Sequence, residues 1–482
     1  MQKLFSNAAE LEKLSKEKYS IPPFLMMENA ARKMADFIIS KNPKSLLILC
    51  GKGNNGGDGL ALARMLMDKC QILVYCPERP SSQEAQVQYE MCLKLGLKIV
   101  TDFILPEEKP SIIVDCIYGI GFHGQLKEEV RSLLDQVNEI DCLKISCDIP
   151  SGLYFKADYT ITMGEEKTSL YSDRAKAVCG EIILADLGIP RQKFEDGLPA
   201  DAFLIEESDI KMPLRSNPVA HKGTYGHTGV FAGQKSGAAI IAASAALHFG
   251  SGLTSLIKSS ESNLEQFKIS PQLMISDTIP AKASALVLGP GFSGQSHEEI
   301  ALLLDWCKST KNPALVLDAG CFSLENLCSL LDQLNKIENI KLILTPHLSE
   351  CHRLFSKIKK SHPELKLSDE EISVEKLASS AEGKIELGKI FNKLYPKTTL
   401  VMKSANTLIA NGGQTYICKD GAQSLAKGGS GDVLAGMIGA LLAQGYSCLD
   451  AAVTGVEVHA LAASRLGKDA YDLTPEKLIE KI

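Results

Sequence analysis

Leu46-Leu47-Ile48-Leu49-Cys50-Gly51-Lys52-Gly53-Asn54-Asn55-Gly56-Gly57-Asp58-Gly59 is the stretch on which the fold turns. The unbroken apolar run from Leu46 to Cys50 has the pattern of a strand buried on both faces. The glycines after it let the backbone turn sharply, and Leu60 to Leu66 continues at helical spacing. Strand, glycine turn and helix open a βαβ unit, which predicts a parallel sheet with right-handed crossovers. Ile72-Leu73-Val74-Tyr75-Cys76, Ile112-Ile113-Val114-Asp115 and Leu143-Lys144-Ile145-Ser146-Cys147 repeat the strand pattern. Gln125 to Val137 supplies another helix, and Pro22 to Ile39 reads as an amphipathic helix entered through a proline pair.

Met212-Pro213-Leu214-Arg215-Ser216-Asn217-Pro218, after the acidic Glu206-Glu207-Ser208-Asp209, marks a linker. Beyond it the alternation resumes: Val230-Phe231-Ala232, Leu286-Val287-Leu288, Leu315-Val316-Leu317-Asp318, Leu342-Ile343-Leu344 and Leu400-Val401-Met402 read as strands. Thr407 to Cys418 reads as an antiparallel hairpin with a short Asn-Gly turn, and the polar Lys359 to Glu375 as an exposed excursion. A chain of 482 residues exceeds the size at which one core keeps growing. Two domains of roughly 200 to 280 residues are therefore expected. The predicted fold class is α/β, with two three-layer αβα domains over residues 1–210 and 215–482.

Hydrophobic content of 45% with 23% charged residues is that of a soluble α/β enzyme, and a net charge of −6 argues against nucleic acid or an anionic membrane as main partner. Fourteen cysteines are scattered without Cys-x-x-Cys pairing, so reduced core residues are expected rather than disulfides or zinc sites. Met1 to Asn7 lacks the apolar core of a signal peptide, and no apolar run reaches membrane-spanning length. The expected location is the cytoplasm.

Lys427-Gly428-Gly429-Ser430-Gly431-Asp432-Val433-Leu434-Ala435-Gly436 carries the chemistry of the second half, with Met437 to Gly445 reading as a buried helix. Glycines before a helix direct unpaired N–H groups to one spot where the dipole already favours an anion, so a phosphate fits there. Asp432 repels a phosphate and is better placed to deprotonate a hydroxyl that attacks phosphorus. The structural alternative is an aspartate that caps the helix.

In the first half, Gly51 to Gly56 satisfies Gly-x-Gly-x-x-Gly, the Rossmann fingerprint, and Glu78 after the second strand is placed to bind a ribose. Two asparagines and an aspartate within the loop point instead to chemistry or an ion. Asp115, Gly119-Ile120-Gly121-Phe122-His123-Gly124 and Asp148-Ile149-Pro150-Ser151-Gly152 follow later strands, which in a parallel sheet converge on one edge. Asn55, Asp115 and Ser151 can offer oxygens to a monovalent cation, leaving Asp148 as acid or base. Each acidic residue taken alone also fits a helix cap or turn.

These segments, with Thr160-Ile161-Thr162-Met163, Lys167 and Ala185-Asp186-Leu187-Gly188-Ile189-Pro190, resemble the epimerase part of the bifunctional NAD(P)H-hydrate repair enzymes over roughly residues 1 to 210. The resemblance implies a Rossmann-like domain that interconverts the R and S hydrates of NADH and NADPH (NADHX and NADPHX). It implies potassium on Asn55, Asp115 and Ser151. It places Asn54, Asn55, Gly56, Gly57 and Asp58, then Gly119, Ile120, Gly121, Phe122, His123, Gly124 and Gln125, around the hydrate, with Asp148 in contact. The hydrate carries a hydroxyl beside the ring nitrogen, so proton transfer together with reversible loss of that hydroxyl or ring opening scrambles the stereocentre, with one carboxylate to shuttle the proton. Met163 stands where an aromatic residue is more usual.

His221 to His227, Gly233 to Ala239, Gly289-Pro290-Gly291-Phe292, Asp318-Ala319-Gly320 and Thr345-Pro346-His347-Leu348-Ser349-Glu350, ending in the Gly428–Gly436 nest, resemble the ribokinase-like superfamily. The nearest branch is NAD(P)H-hydrate dehydratase, over about residues 215 to 482. By that resemblance Ala238, Gly291, His347 and Asp432 face the hydrate, while Lys403, Ser404, Ala405, Asn406, Thr407 and Gly431 hold the nucleotide. The implied co-substrate is ADP with Mg2+. Its phosphoryl group converts the ring hydroxyl into phosphate, which the nitrogen lone pair expels, leaving NAD(P)H, AMP and phosphate. His347 equally fits a helix cap. Ser349 and Ser404 replace usual glycines, Lys419 to Ser424 keeps only Gly421 of the usual stretch, and Lys427 takes the place of a small hydroxyl residue. The alternative is a small-molecule kinase fused to a non-catalytic Rossmann-like module. A homo-oligomer is expected.

Overall fold

The computed structural model describes residues 1–104, 108–122, 124–293, 297–467 and 469–482, and the chain divides into two compact units. One comprises Lys3–Asp201; the other comprises Ala202–Ile482 together with Met1–Gln2. The division falls ahead of the prolines of the linker, because Ala202–Leu204 already pairs as a strand with Gln414–Cys418 of the second sheet.

The first unit is built on a parallel seven-stranded sheet. In spatial order its strands are Ile99–Val100, Gln71–Tyr75, Ser45–Cys50, Ile112–Cys116, Leu143–Cys147, Tyr159–Met163 and Glu181–Ala185. Both faces of the opening strand are buried. Leu46, Ile48 and Cys50 pack with Met34 and Ile38 of helix Pro23–Ser40 and Leu60 and Leu66 of helix Asn54–Leu66. Leu47 and Leu49 pack with Leu133, Leu134 and Val137 of helix Glu128–Asn138. Each such side chain contributes about 1.5–3 kcal/mol on burial, and the result is three layers of Rossmann-like order.

The second unit repeats the plan. Met274–Ser276, Leu253–Lys258, His227–Ala232, Ala285–Leu288, Ala314–Leu317, Lys341–Leu344 and Thr398–Met402 run parallel. Thr407–Asn411 and Gln414–Cys418 then add an antiparallel hairpin turned by Gly412 and Gly413, both at positive φ. Val230, Val287, Val316, Ile343 and Val401 face helices Ser236–His248, Ser430–Ala443 and Cys448–Leu466. Across the sheet, Gly388 of helix Ala381–Leu394 lies against Ala410. Helices thus cover both faces of this sheet too, giving a second three-layer αβα arrangement. Most of 359–375 is exposed, with Leu367 and Ile372 tucked in.

Two boundaries differ from expectation for one reason. The helix after the first strand begins at Asn54 and the helix of the nest at Ser430, so Asn54 to Asp58 form a helix rather than a loop. Their glycines are there for close packing: a β-carbon on Gly56 would lie 1.8 Å from the Gly51 carbonyl oxygen.

Candidate functional site

Counted along the parallel runs that begin at Ser45–Cys50 and at His227–Ala232, the first strand of each lies beside the fourth, and their successors lie on opposite sides. The connections leaving Ser45–Cys50 and Ile112–Cys116 therefore part, as do those leaving His227–Ala232 and Ala285–Leu288. Each parting opens a crevice at the carboxyl edge, where ligands bind in sheets of this kind.

At the first crevice Asp115 stands next to last in strand Ile112–Cys116, wholly buried. Its Oδ1 accepts from Ser151 Oγ at 2.7 Å and Ile117 N at 3.1 Å, and its Oδ2 from Ser151 N at 2.8 Å. Burial pushes the carboxyl up to about 6 against those hydrogen bonds. Ser151 Oγ also accepts from Tyr118 N at 2.9 Å. Asn55, in the first turn of its helix, buries both side-chain polar atoms with no hydrogen-bond partner among the described residues. A buried amide left without a partner costs about 1–3 kcal/mol, so its oxygen is set for a ligand. Asp58, one turn on, is driven well upward by burial and then by the nearby Asp148.

Asp148 sits at the end of its strand with φ +67°, a left-handed backbone that costs a non-glycine residue about 1–2 kcal/mol. That turn aims its carboxylate between two elements. Oδ2 accepts from Ile120 N at 3.1 Å, and Oδ1 lies 2.8 Å from Lys167 Nζ. Lys167 also meets Glu165 Oε1 at 2.7 Å. Burial opposes its charge, but the carboxylates of Asp148 and Glu165 outweigh it and hold the ammonium above its ordinary range. A β-carbon on Gly119 would lie 2.9 Å from Asp148 Oδ2 and 3.4 Å from Asn55 Cγ, so these three converge. Phe122 stacks on Tyr118 at 4.3 Å. Gly121, Gly124 and Gln125 are exposed, and His123 lies outside the described residues.

At the second crevice the nest has the expected form. Gly429 caps the helix at φ +93°, and Val433 N–H is the first to bond back, to Gly429 O at 3.1 Å. The N–H groups of Gly431 and Asp432 thus point out of the helix start. Asp432 is inside the first turn, not its cap. Burial, then Asp318, push its carboxyl up to about 7 while Lys403 opposes. Lys403 Nζ pairs with Asp318 Oδ1 at 2.7 Å, and a β-carbon on Gly431 would lie 3.2 Å from the same Nζ. Burial works against the Lys403 ammonium, yet Asp318 outweighs it and raises its pKa. Asp318 Oδ2 is buried without a hydrogen-bond partner among the described residues.

Ser404 to Thr407 form the tight turn after Lys403, where Ser404 Oγ donates to Asn406 O at 2.8 Å and accepts from the buried Lys384 Nζ at 3.0 Å. Ala238, half-buried, lies in the first turn of its helix. Gly291 O accepts from Lys235 N at 3.0 Å, closing the two switch-point loops together. His347 caps helix Leu348–Ser361: its Nδ1 accepts from Ser349 N at 3.2 Å, and Glu350 Oε2 accepts from His347 N at 2.9 Å. Burial and Lys403 lower its pKa. Lys427 Nζ donates to Tyr471 O at 3.2 Å.

Sequence reasoning missed the partners that lie under the site. Glu165, Lys384 and Asp318 as the mate of Lys403 gave no signal, because each becomes informative only once the fold buries it beside a charge. His459 is another: buried, with its pKa lowered to about 4 by that burial, its Nε2 lies 2.9 Å from Ser430 O under the nest.

Two family models match the chain, one described as NAD(P)H-hydrate dehydratase over residues 228–482 and one as YjeF-related protein N-terminus over residues 24–169. The bifunctional NAD(P)H-hydrate repair enzyme of Helicobacter pylori is 37% identical over 100% of this chain and 99% of its own. The enzyme of that name from Coxiella burnetii is 32% identical over 95% and 93% of the two chains, so the likeness runs through both units.

Proposed function

This chain belongs to the bifunctional NAD(P)H-hydrate repair enzymes, and from that premise we propose that its first unit epimerises the hydrates of NADH and NADPH while its second dehydrates the S epimer. The observation that carries this division is that each carboxyl-edge crevice holds one carboxylate set to move a proton. Asp148 is held by Lys167 and Ile120 N, and Asp432 stands at the mouth of a phosphate nest. The full-length relatives do not favour a kinase fused to an inert module.

In the first crevice, the hydrate lies against Gly119 and Asn55, where Asp148 takes the hydroxyl proton as the bond from its carbon to the ring nitrogen opens to an aldehyde and passes that proton to the nitrogen; the reverse step on the other face of the aldehyde closes the opposite epimer. Asp148 Oδ1 receives both Lys167 Nζ and, at 3.4 Å, Met163 N, whereas Oδ2 accepts from Ile120 N and keeps a lone pair for the hydrate. No lysine or arginine pairs with Asp115 among the described residues, and the orphaned Asn55 amide lies at the same crevice, so a monovalent cation fits Asn55, Asp115 and Ser151. Potassium there would neutralise the buried Asp115 and fix the loop after its strand.

In the second crevice Asp432 removes the proton from the ring hydroxyl as it attacks the terminal phosphoryl group of ADP. A carboxyl that titrates near 7 suits that task at neutral pH. The N–H groups of Gly431 and Asp432 and the Lys403 ammonium receive charge building on the phosphoryl oxygens. AMP departs as the phosphoryl group is transferred; expulsion of phosphate by the ring nitrogen and loss of a proton from the adjacent ring carbon then restore the dihydronicotinamide. Asp318 Oδ2 is the buried oxygen that nucleotide-bound Mg2+ would meet. A reducing, cytoplasmic setting belongs to the proposal and is supported by fourteen free cysteines.

The test is incubation of the full chain with both hydrate epimers and ADP, following absorbance of the regenerated dihydropyridine. Complete recovery of both epimers is expected. A protein inert toward both would refute the reading.

A further inference from the structure

Lys167 is claimed by more oxygens than it has hydrogens. An ammonium carries three N–H donors. Four acceptors surround this one: Glu165 Oε1 at 2.7 Å, Asp148 Oδ1 at 2.8 Å, Met163 O at 2.9 Å and Thr162 Oγ1 at 3.0 Å. The residue is 1% exposed, so it has no donor left for a ligand and works as a clamp on the carboxylates beside it. The two carboxylates differ. Asp148 reaches the loop that holds Ile120 and Gly119, whereas Glu165 is 0% exposed and its carboxylate meets no partner other than this ammonium among the described residues. The turn that carries it is fixed too, since Thr162 Oγ1 donates to Glu165 O at 3.4 Å.

We propose that Glu165 is a positioning residue of the epimerising crevice: it holds the Lys167 ammonium against Asp148 Oδ1 and so orients the carboxylate that handles the hydrate's proton. The proposal rests on the role given to Asp148 above. A buried ion pair of this kind is a costly way to gain stability, because desolvation of both partners offsets their attraction. It is an effective way to hold one oxygen in place.

The charges facing the cluster come from three further elements: Glu12 on helix Ala8–Tyr19, Asp58 on helix Asn54–Leu66, and Asp148 after strand Leu143–Cys147. Burial pushes Glu12 and Asp58 upward, and Glu165 to about 7 against the pull of Lys167. Four carboxyl groups around one ammonium cannot all ionise together at neutral pH. When Glu165 is neutral, its charge no longer holds the Lys167 ammonium in place beside Asp148 Oδ1. When Glu165 ionises, it draws that ammonium into the geometry in which it fixes Asp148 Oδ1. Epimer exchange should therefore rise with pH through the neutral range.

Exchange of R and S hydrates, measured in the full chain without ADP and corrected for the spontaneous rate, tests this. Wild type should show the inflection. Glu165→Gln, which keeps the shape and removes the charge, should lose it and run roughly tenfold slower above neutrality. Glu165→Asp keeps a charge on a shorter arm and should retain the inflection. A Glu165→Gln profile identical to wild type, or a loss equal at every pH in both variants together with a lowered melting temperature, would overturn the positioning role while leaving the epimerase reading intact. A wild-type protein that exchanges no epimers would overturn both.

Discussion

Asp432 shows how one residue's surroundings decide its work. Its ordinary carboxyl would stay ionised at neutral pH, but burial and the neighbouring Asp318 raise it to about 7. ADP-dependent recovery of NADH from the S hydrate should accordingly fall as pH drops below about 7, and initial rates across that range check it. Asp432→Asn should lower this rate by about 10²–10⁴-fold while epimer exchange continues. The same shift has a sign for stability. A carboxyl raised on folding favours the fold fully below its unfolded pKa, and that contribution fades as pH rises through about 7. Asp432→Asn should thus melt higher than wild type above neutrality, by about 2–4 °C per kcal/mol recovered. In the first crevice, potassium should raise the melting temperature over sodium, following the linkage of a ligand that binds only the fold. Asp115→Asn should erase the difference. Asp432, Asp148, Asn55, Asp115 and Ser151 were all legible in the sequence because each sits next to a glycine turn or a strand end. Glu165 was not: Glu165-Glu166-Lys167 reads as a solvated turn until the fold closes over it.

At the scale of elements, the continuous apolar runs were enough to place the central strands, since a strand buried on both faces leaves no polar alternation to misread. Short edge strands such as Ile99–Val100 and Met274–Ser276 escaped, because partners rather than composition make them strands. The first turn of helix Asn54–Leu66 escaped for the opposite reason. Asn54-Asn55-Gly56-Gly57 has poor helix propensity, yet close contact with the preceding strand's loop favours that conformation and admits no side chain at Gly56. Gly56→Ala would bring a β-carbon to 1.8 Å from the Gly51 carbonyl, a backbone contact that cannot yield cheaply. A loss of about 3 kcal/mol or more is expected, read as a lowered unfolding midpoint in denaturant. Asn55 would move with that helix, so epimer exchange should drop while dehydration of purified S hydrate persists. His347 belongs to this scale as well, since the structure uses its Nδ1 to start a helix and so gives it a structural task beside any contact with substrate.

For the whole molecule, two units with the same strand order, each with a crevice where its connections part, make a prediction about extent rather than rate. The dehydrating unit handles one epimer, so the yield from a mixture depends on whether the other unit keeps converting what remains. Wild type with excess ADP should return all hydrate to NADH in one continuous phase. Asp148→Asn should give two phases: a fast recovery equal in amplitude to the S fraction supplied, then a slow phase at the spontaneous epimerisation rate. Adding the Asp432→Asn protein, whose first unit is intact, to the Asp148→Asn protein should merge the phases again, because the R hydrate can leave one chain and be exchanged by another. Two phases that persist in that mixture would mean that the hydrate does not pass between chains at a useful rate. A single fast phase in Asp148→Asn alone would mean that its carboxylate is not the group that moves the proton, and would shift that task to the carboxyls that remain around Lys167: Glu165, Asp58 and Glu12.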